Sequence, residues 1–256
     1  MNKRADVLSV KVAQALVRRI TSKEFSPGSV LPSERELQEE YQVSRTVVRE
    51  ALKMLSARGF ISTSAGQGAV VGSDLTGVAM DSLLLAFHQA DVRAEDILAT
   101  RALLEPQVAA LAAQNATVPQ IRRLKSLIQK LEDIDFEGDE NAKIKGSQLW
   151  SEYDTQFHEL LAEASQNPVL AILTKVIVGI LWRQEAQTEQ EGPLILTLEN
   201  RTIALEQHRA LAVAVEERDP EKARLTMTGH LEHTKKNFTG LHNNLAEILG
   251  TLAGSF

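Results

Sequence analysis

Two helix-start signals stand close together near the amino terminus, and they restrict what the first quarter of the chain can fold into. In Leu31-Pro32-Ser33-Glu34-Arg35-Glu36, Ser33 is an N-cap with Glu36 three residues on, the reciprocal arrangement that satisfies otherwise orphaned amides. The helix so opened runs from about Glu34 to Tyr41. After only Gln42-Val43 comes Ser44, a second N-cap. It is followed by RTVVREALKMLSAR, whose Val47, Val48, Ala51, Leu52 and Leu55 form an apolar stripe that stops at Gly59. Two helices, 34–41 and 45–58, joined by so short a turn match a helix-turn-helix.

The flanks extend this unit. Residues 7–20 place Val7, Val10, Leu16, Val17 and Ile20 at roughly helical spacing, and the stretch ends before Pro27-Gly28. Residues 60–63 and 69–71 are short apolar or β-branched runs on either side of Ser64-Ala65-Gly66-Gln67-Gly68, which reads as a glycine-containing hairpin. A β-wing after the second helix makes a winged helix. Charge is split in the same place. The chain is −6 overall, yet residues 1–72 hold 11 Lys and Arg against 7 Asp and Glu, and the remainder holds 17 against 27. A basic module on an acidic remainder is what a polyanion-binding domain joined to a regulatory or assembly domain looks like, although such an excess also suits an ordinary solvated surface.

At 256 residues the chain exceeds the usual domain of about 100 to 150, so two domains are expected: a winged helix-turn-helix over 1–72, a linker over 73–77 and an all-α antiparallel bundle over 78–256. The fold class is mainly α. Bundle helices are expected near 78–88, 94–114, 118–133, 141–165, 168–188, 194–217 and 220–247, with a loop at 134–140. Pro119, Pro168, Pro193 and Pro220 each fall at or near a first helical turn, where a missing N–H costs little. The absence of cysteine excludes disulfides, thiolate zinc sites, iron–sulfur clusters and cysteine nucleophiles, so any metal must be held by His, Asp or Glu. Asp6, Lys11 and Gln14 interrupt what would have to be a signal peptide's apolar core, and no apolar run reaches the length of a membrane span. A cytoplasmic protein with no membrane partner is expected.

Within the bundle, Asp154 and His158 are i and i+4 on one helix face, a spacing that suits two ligands of one metal. His208 and His230 lie inside two other expected helices, so three helices can offer one carboxylate and three imidazoles to the bundle interior. The plainer reading is that each histidine is a surface or hydrogen-bonded core residue, with Asp154 and His158 an intrahelical charge pair. His88, His233 and His242 lie near helix ends or on polar faces. Arg101, among apparent core residues, is either an inward anion clamp or a partner of Glu105 on a solvated face.

The chain resembles the GntR superfamily of bacterial transcription regulators, specifically its FadR subfamily with an FCD-type carboxy-terminal domain. The resemblance rests first on Pro27-Gly28, on Leu31-Pro32-Ser33-Glu34-Arg35-Glu36-Leu37, on the run from Val43 to Leu52 and on Gly66-Gln67-Gly68. In the second half it rests on Arg101 with Leu104-Glu105, Asp154 with Phe157-His158, Asn167-Pro168, His208 and His230-Leu231. It implies that Arg35, Arg45 and Arg49 reach the major groove of double-stranded DNA and that Gly66 lets the wing tip enter the minor groove. The chemistry agrees, because an Arg fork matches O6 and N7 of guanine while Ser33, Ser44 and Thr46 at helix starts can hold phosphates. Competing roles are a salt bridge for Arg49 and a plain turn requirement for Gly66. The resemblance also implies a divalent ion, Zn, Ni or Mn, on Asp154, His158, His208 and His230, and a carboxylate effector at Arg101. The uncharged Ser64, Ala65 and Gln67 depart from relatives that carry His or Lys in the wing.

The expected function is therefore a homodimeric, metabolite-responsive regulator and not an enzyme. It represses a catabolic operon and leaves a palindromic operator when a small organic or sugar acid binds. The alternatives are a regulator responding to acyl-CoA, where the metal quartet is absent, and a helical-bundle metalloenzyme, for which the sequence places no further acid–base residue beside the four ligands.

Overall fold

The computed structural model describes residues 3–64, 68–72, 76–187 and 197–237. It divides into two compact units, Met1–Ala79 and Met80–Phe256. The first unit holds α1 (Lys3–Thr21), α2 (Glu34–Tyr41), α3 (Arg45–Ala57), β1 (Ile61–Ser64) and β2 (Gly68–Val71). The expected starts of α2 and α3 are met by their caps. Ser33 Oγ accepts from the Glu36 amide while the Glu36 carboxylate accepts from the Ser33 amide, and Ser44 Oγ accepts from the Val47 amide. Helix α1 begins several residues earlier than its apolar pattern implied.

Val47, Val48, Ala51, Leu52 and Leu55 turn the inner face of α3 onto Leu16 of α1, Leu37 of α2, and Ile61 and Val71 of the wing. The wing is antiparallel, with Ile61 opposite Val71 and Ser64 opposite Gly68. A bridge from Val30 to Val70 adds a strand-like contact that no periodicity announced. Gly68 sits at φ +77, a left-handed conformation that side chains rarely adopt, and an added Cβ would stand 3.4 Å from Val30 Cγ1. Gly66 lies outside the described residues, as do 73–75 of the expected linker.

The second unit contains most of α4 (Thr76–Gln89), then α5 (Ala94–Asn115), α6 (Val118–Glu132), α7 (Glu140–Ala164), α8 (Pro168–Gln187), α9 (Leu198–Glu216) and α10 (Pro220–Asn237). Helix α5 is central: α7, α8, α9 and α10 all pack on it. Its interior Pro106 is buried in the core face. Phe157, Leu160 and Leu161 of α7, Leu211 of α9 and Met227 of α10 fill the main core around Ala109, Ala112 and Ala113 of α5. The small α5 residues let the neighbouring helices approach closely. Helix α9 was expected to open at 194 near Pro193; its described start is Leu198, capped by Thr197 Oγ1 accepting from the Asn200 amide at 3.2 Å. Residues 188–196 and 238–256, including His242, lie outside the described residues.

The carboxyl end of α5 is closed by a side chain from far along the chain. Arg218, at φ 59, donates to the carbonyls of Ala113 at 3.3 Å and Ala116 at 2.6 Å. These are carbonyls that a helix end leaves without intrahelical partners. Arg218→Ala is expected to cost about 1 kcal/mol in chemical denaturation. An unchanged midpoint would mean that water serves those carbonyls equally well.

Candidate functional site

The outer face of α3 is the complement of its apolar stripe. With Val47, Val48 and Ala51 committed inward, the helical period leaves Arg45, Thr46 and Arg49 exposed, alongside exposed Ser33, Arg35 and Ser44. Arg45 Nε pairs with Glu34 Oε2 at 2.8 Å, Arg49 Nε stands 3.8 Å from Glu34 Oε1, and Arg35 Nε pairs with Glu39 at 2.9 Å. The salt-bridge alternative for Arg49 is thus present, and Glu34 is the shared acid that sequence reading missed. The three arginine side chains are 60 to 87% exposed, and exposed pairs contribute little, so exchanging Glu34 for a base edge costs little. Ser33 and Ser44 use their hydroxyl oxygens as acceptors for helix amides, which leaves each O–H proton available to a phosphate.

The second unit brings Asp154, His158, His208 and His230 together from α7, α9 and α10. One ligand atom from each lies within 4.8 Å of all the others, and the three histidines are buried. His208 Nε2 is 3.3 Å from Asp154 Oδ1, and His158 Nε2 is 3.8 Å from Asp154 Oδ2. Ring centroids of His208 and His230 are 4.8 Å apart, and the Phe157 ring lies 4.4 Å from that of His208.

Two outer contacts orient the rings. His230 Nδ1 meets Gln207 Oε1 at 3.0 Å, which directs Nε2 inward. Glu105 Oε2 stands 2.5 Å from His158 Nδ1, while His158 Nε2 and both nitrogens of His208 have no hydrogen-bond partner. Carboxylate or amide support on the outer ring nitrogen is the usual setting of a metal-binding histidine.

Buried imidazole nitrogens without partners are costly unless something occupies them. Burial lowers the pKa of His208 to about 4, with neighbouring positive groups adding to the effect and Asp154 opposing it. Burial, then His208 and His158, hold His230 well below the usual range. Neutral rings keep a lone pair for coordination. Around an ion with bonds of about 2.1 Å, two ligands stand at most about 4.2 Å apart, so the set needs only a small closure to fit one.

Arg101 combines the two expected alternatives in a way neither anticipated. It does pair with Glu105, Nε to Oε1 at 2.5 Å, but at 6% exposure, so the solvated face is corrected to a buried one. Burial would raise the Glu105 pKa; the Arg101 charge, aided by His158, outweighs it and holds the carboxyl at about 2. Arg101, Glu105 and His158 therefore form one chain of contacts that leads into the histidine cluster. Glu105 was read from the sequence only as a possible partner of Arg101, not as a support for His158, and Gln207 was not singled out. The one signal for Gln207 was its adjacency to His208.

A winged helix-turn-helix presenting unburied arginines, in one chain with a helical domain built around polar buried groups, defines a DNA-binding transcription regulator with a small-molecule-sensing domain. Comparison with known proteins gives the same class. Residues 8–71 match the family described as bacterial regulatory proteins, gntR family, and residues 96–233 match the FCD domain. The Uxu operon regulator of Haemophilus influenzae is 30% identical over 228 residues, 88% of this chain and 79% of that protein. The HTH-type transcriptional repressor NanR of Cronobacter sakazakii is 32% identical over 234 residues, 88% and 82%. A solved structure of Streptococcus agalactiae GntR superposes with a TM-score of 0.64 at 26% identity, covering 89% of this chain and 99% of that one. The chain belongs to the gntR family of bacterial regulatory proteins and carries an FCD domain; it is a transcriptional regulator, not an enzyme. Among the described residues no helix is long and apolar enough to cross a membrane.

Proposed function

We propose that the protein is a homodimeric repressor of the FadR subfamily. It reads a twofold-symmetric operator through Arg35, Arg45 and Arg49, with Ser33, Ser44 and Thr46 on phosphates and Gly66 at the wing tip. A divalent ion, Zn, Ni or Mn, sits on Asp154, His158, His208 and His230, and a small carboxylate bound there releases the operator. The observation that carries the reading is the cluster of three buried imidazoles beside one carboxylate, with His158 Nε2 and both ring nitrogens of His208 lacking hydrogen-bond partners. Mixed imidazole and carboxylate donors do not choose among the three metals. Two of the relatives support the regulatory sense, one named an operon regulator and one a transcriptional repressor.

Once bound, the ion supplies a Lewis-acid centre for the oxygens of an organic or sugar acid. The protein's own part is to orient and to transmit. Glu105 and Gln207 hold the rings of His158 and His230, and Arg101 offers its guanidinium fork beside them. Helices α9 and α10 carry His208 and His230, so closure about an effector shifts their packing. A dimer with two states converts such a shift into altered spacing of the recognition helices. Effector and operator then weaken each other reciprocally.

Arg101 is tested with two variants. Arg101→Ala leaves Glu105 a buried charge with only His158 beside it and is expected to cost about 3 to 5 kcal/mol of stability. Arg101→Lys keeps the charge but loses the fork. It is expected to retain operator binding and metal while needing at least about tenfold more acid for release. Release of the Lys variant at the wild-type concentration of acid would limit Arg101 to holding Glu105.

A further inference from the structure

Thr174 of α8 has no part in anything assigned above. It is 2% exposed, and its hydroxyl has no hydrogen-bond partner. A threonine inside a helix can give its proton to the carbonyl four residues back. Thr100, Thr202, Thr228 and Thr234 do so here, reaching Asp96, Leu198, Arg224 and His230 at 2.8 to 2.9 Å. Thr174 makes no such bond to Leu170. A buried hydroxyl that bonds to nothing costs stability unless a ligand supplies the partner.

The side on which Thr174 lies follows from its neighbours. Val169, Ile172 and Leu173 are exposed, and Val176 and Ile180 pack with Met80 and Leu84 of α4. The helical period puts Thr174 and Val178, one turn apart, on the opposite side, toward α5 and α7, and α8 packs on both of these helices. Val178 is buried there outside every apolar core among the described residues, as suits a side that meets polar groups. The height of Thr174 follows from the turn. Helix α7 ends at Ala164 and α8 opens at Pro168, so the packed pair is antiparallel, with His158 six residues before that end and Thr174 six residues after that start. Thr174, His158 and the Glu105 that touches His158 therefore share one layer of the bundle.

We infer that Thr174 is an effector-binding residue: its hydroxyl donates to the carboxylate oxygen of the small acid that the ion does not hold. The inference rests on the metal-bound carboxylate proposed above. Arg101 has to loosen its pair with Glu105 before it can serve the acid, whereas Thr174 carries an uncommitted proton at the level of a metal ligand. A planar carboxylate meets both demands, with one oxygen toward the ion and one toward Thr174.

The test pairs Thr174→Val, which keeps the shape and removes the hydroxyl, with Thr174→Ser, which keeps the hydroxyl. The full chain loaded with Zn²⁺ is titrated calorimetrically with acetate, lactate, malate, gluconate and glucuronate, and the acid that the wild type binds most tightly is carried to the variants. Thr174→Val is expected to bind it at least about tenfold more weakly at unchanged Zn²⁺ content, and Thr174→Ser to stay within about threefold of the wild type, as loss and retention of one charge-assisted hydrogen bond require. Wild-type affinity in Thr174→Val, or an equal loss in both variants, would overturn the inference. Stability moves the other way. In the chelated, acid-free chain Thr174→Val is expected to melt no lower than the wild type, because it removes an unbonded polar group and keeps its shape. A Tm lower by about 2 °C or more would mean that the hydroxyl is already bonded within the protein, which contradicts the inference. Should none of the acids bind the wild type, the metal-bound carboxylate fails and the role of Thr174 fails with it; should the acid bind the wild type and Thr174→Val alike, only the role of Thr174 is lost.

Discussion

Replacing His208 and His230 together by alanine is expected to abolish both metal retention and the thermal response to added metal. In the wild type, an ion present at a thousandfold over its Kd adds about 4 kcal/mol to stability, which for a domain of this size raises Tm by roughly 10 °C. The variant also loses packing against Phe157 and starts from a lower Tm, so the informative quantity is the difference with and without Zn²⁺ in each protein. Elemental analysis supplies the stoichiometry. A double variant that keeps one ion per chain, or gains the same Tm from Zn²⁺, would place the metal elsewhere.

The second large effect concerns DNA. Arg45→Ala or Arg49→Ala is expected to cost about 1 to 3 kcal/mol per half-site on the operator and much less on a random duplex. The lost surface pairs with Glu34 are a minor correction, since exposed pairs contribute little. Thr46→Ala, by contrast, is expected to weaken both duplexes alike, as loss of a phosphate contact does. Fluorescence anisotropy with labelled operator and scrambled DNA reads both terms at fixed salt. An Arg45→Ala, Arg49→Ala protein with the wild-type ratio between the two duplexes would remove α3 from sequence reading.

The amino-terminal unit was largely legible in the sequence because its signals are local. Ser33 and Ser44 mark helix starts by chemistry that spans three residues, and the stripe from Val47 to Leu55 has one apolar face only. The Val30 bridge was not legible, because one valine in a Pro- and Gly-bounded loop carries no period. In the bundle, i,i+4 spacing found Asp154 with His158, and helix placement brought in His208 and His230. Burial of individual faces was harder to read. Helix α5 is apolar around most of its circumference, so nothing in its pattern says that Arg101 is 6% exposed while Leu103 is 77% exposed. That inversion hid the burial of the Arg101–Glu105 pair and its link to His158.

The central claim, that a carboxylate bound at the histidine cluster governs DNA binding, is tested most directly by operator anisotropy of the metal-loaded chain titrated with organic and sugar acids, repeated after chelation. Release of the operator by at least one acid is expected, with the response lost in chelated protein and in His208→Ala, His230→Ala. Release by the same acid at the same concentration in the chelated protein and in that variant would contradict it.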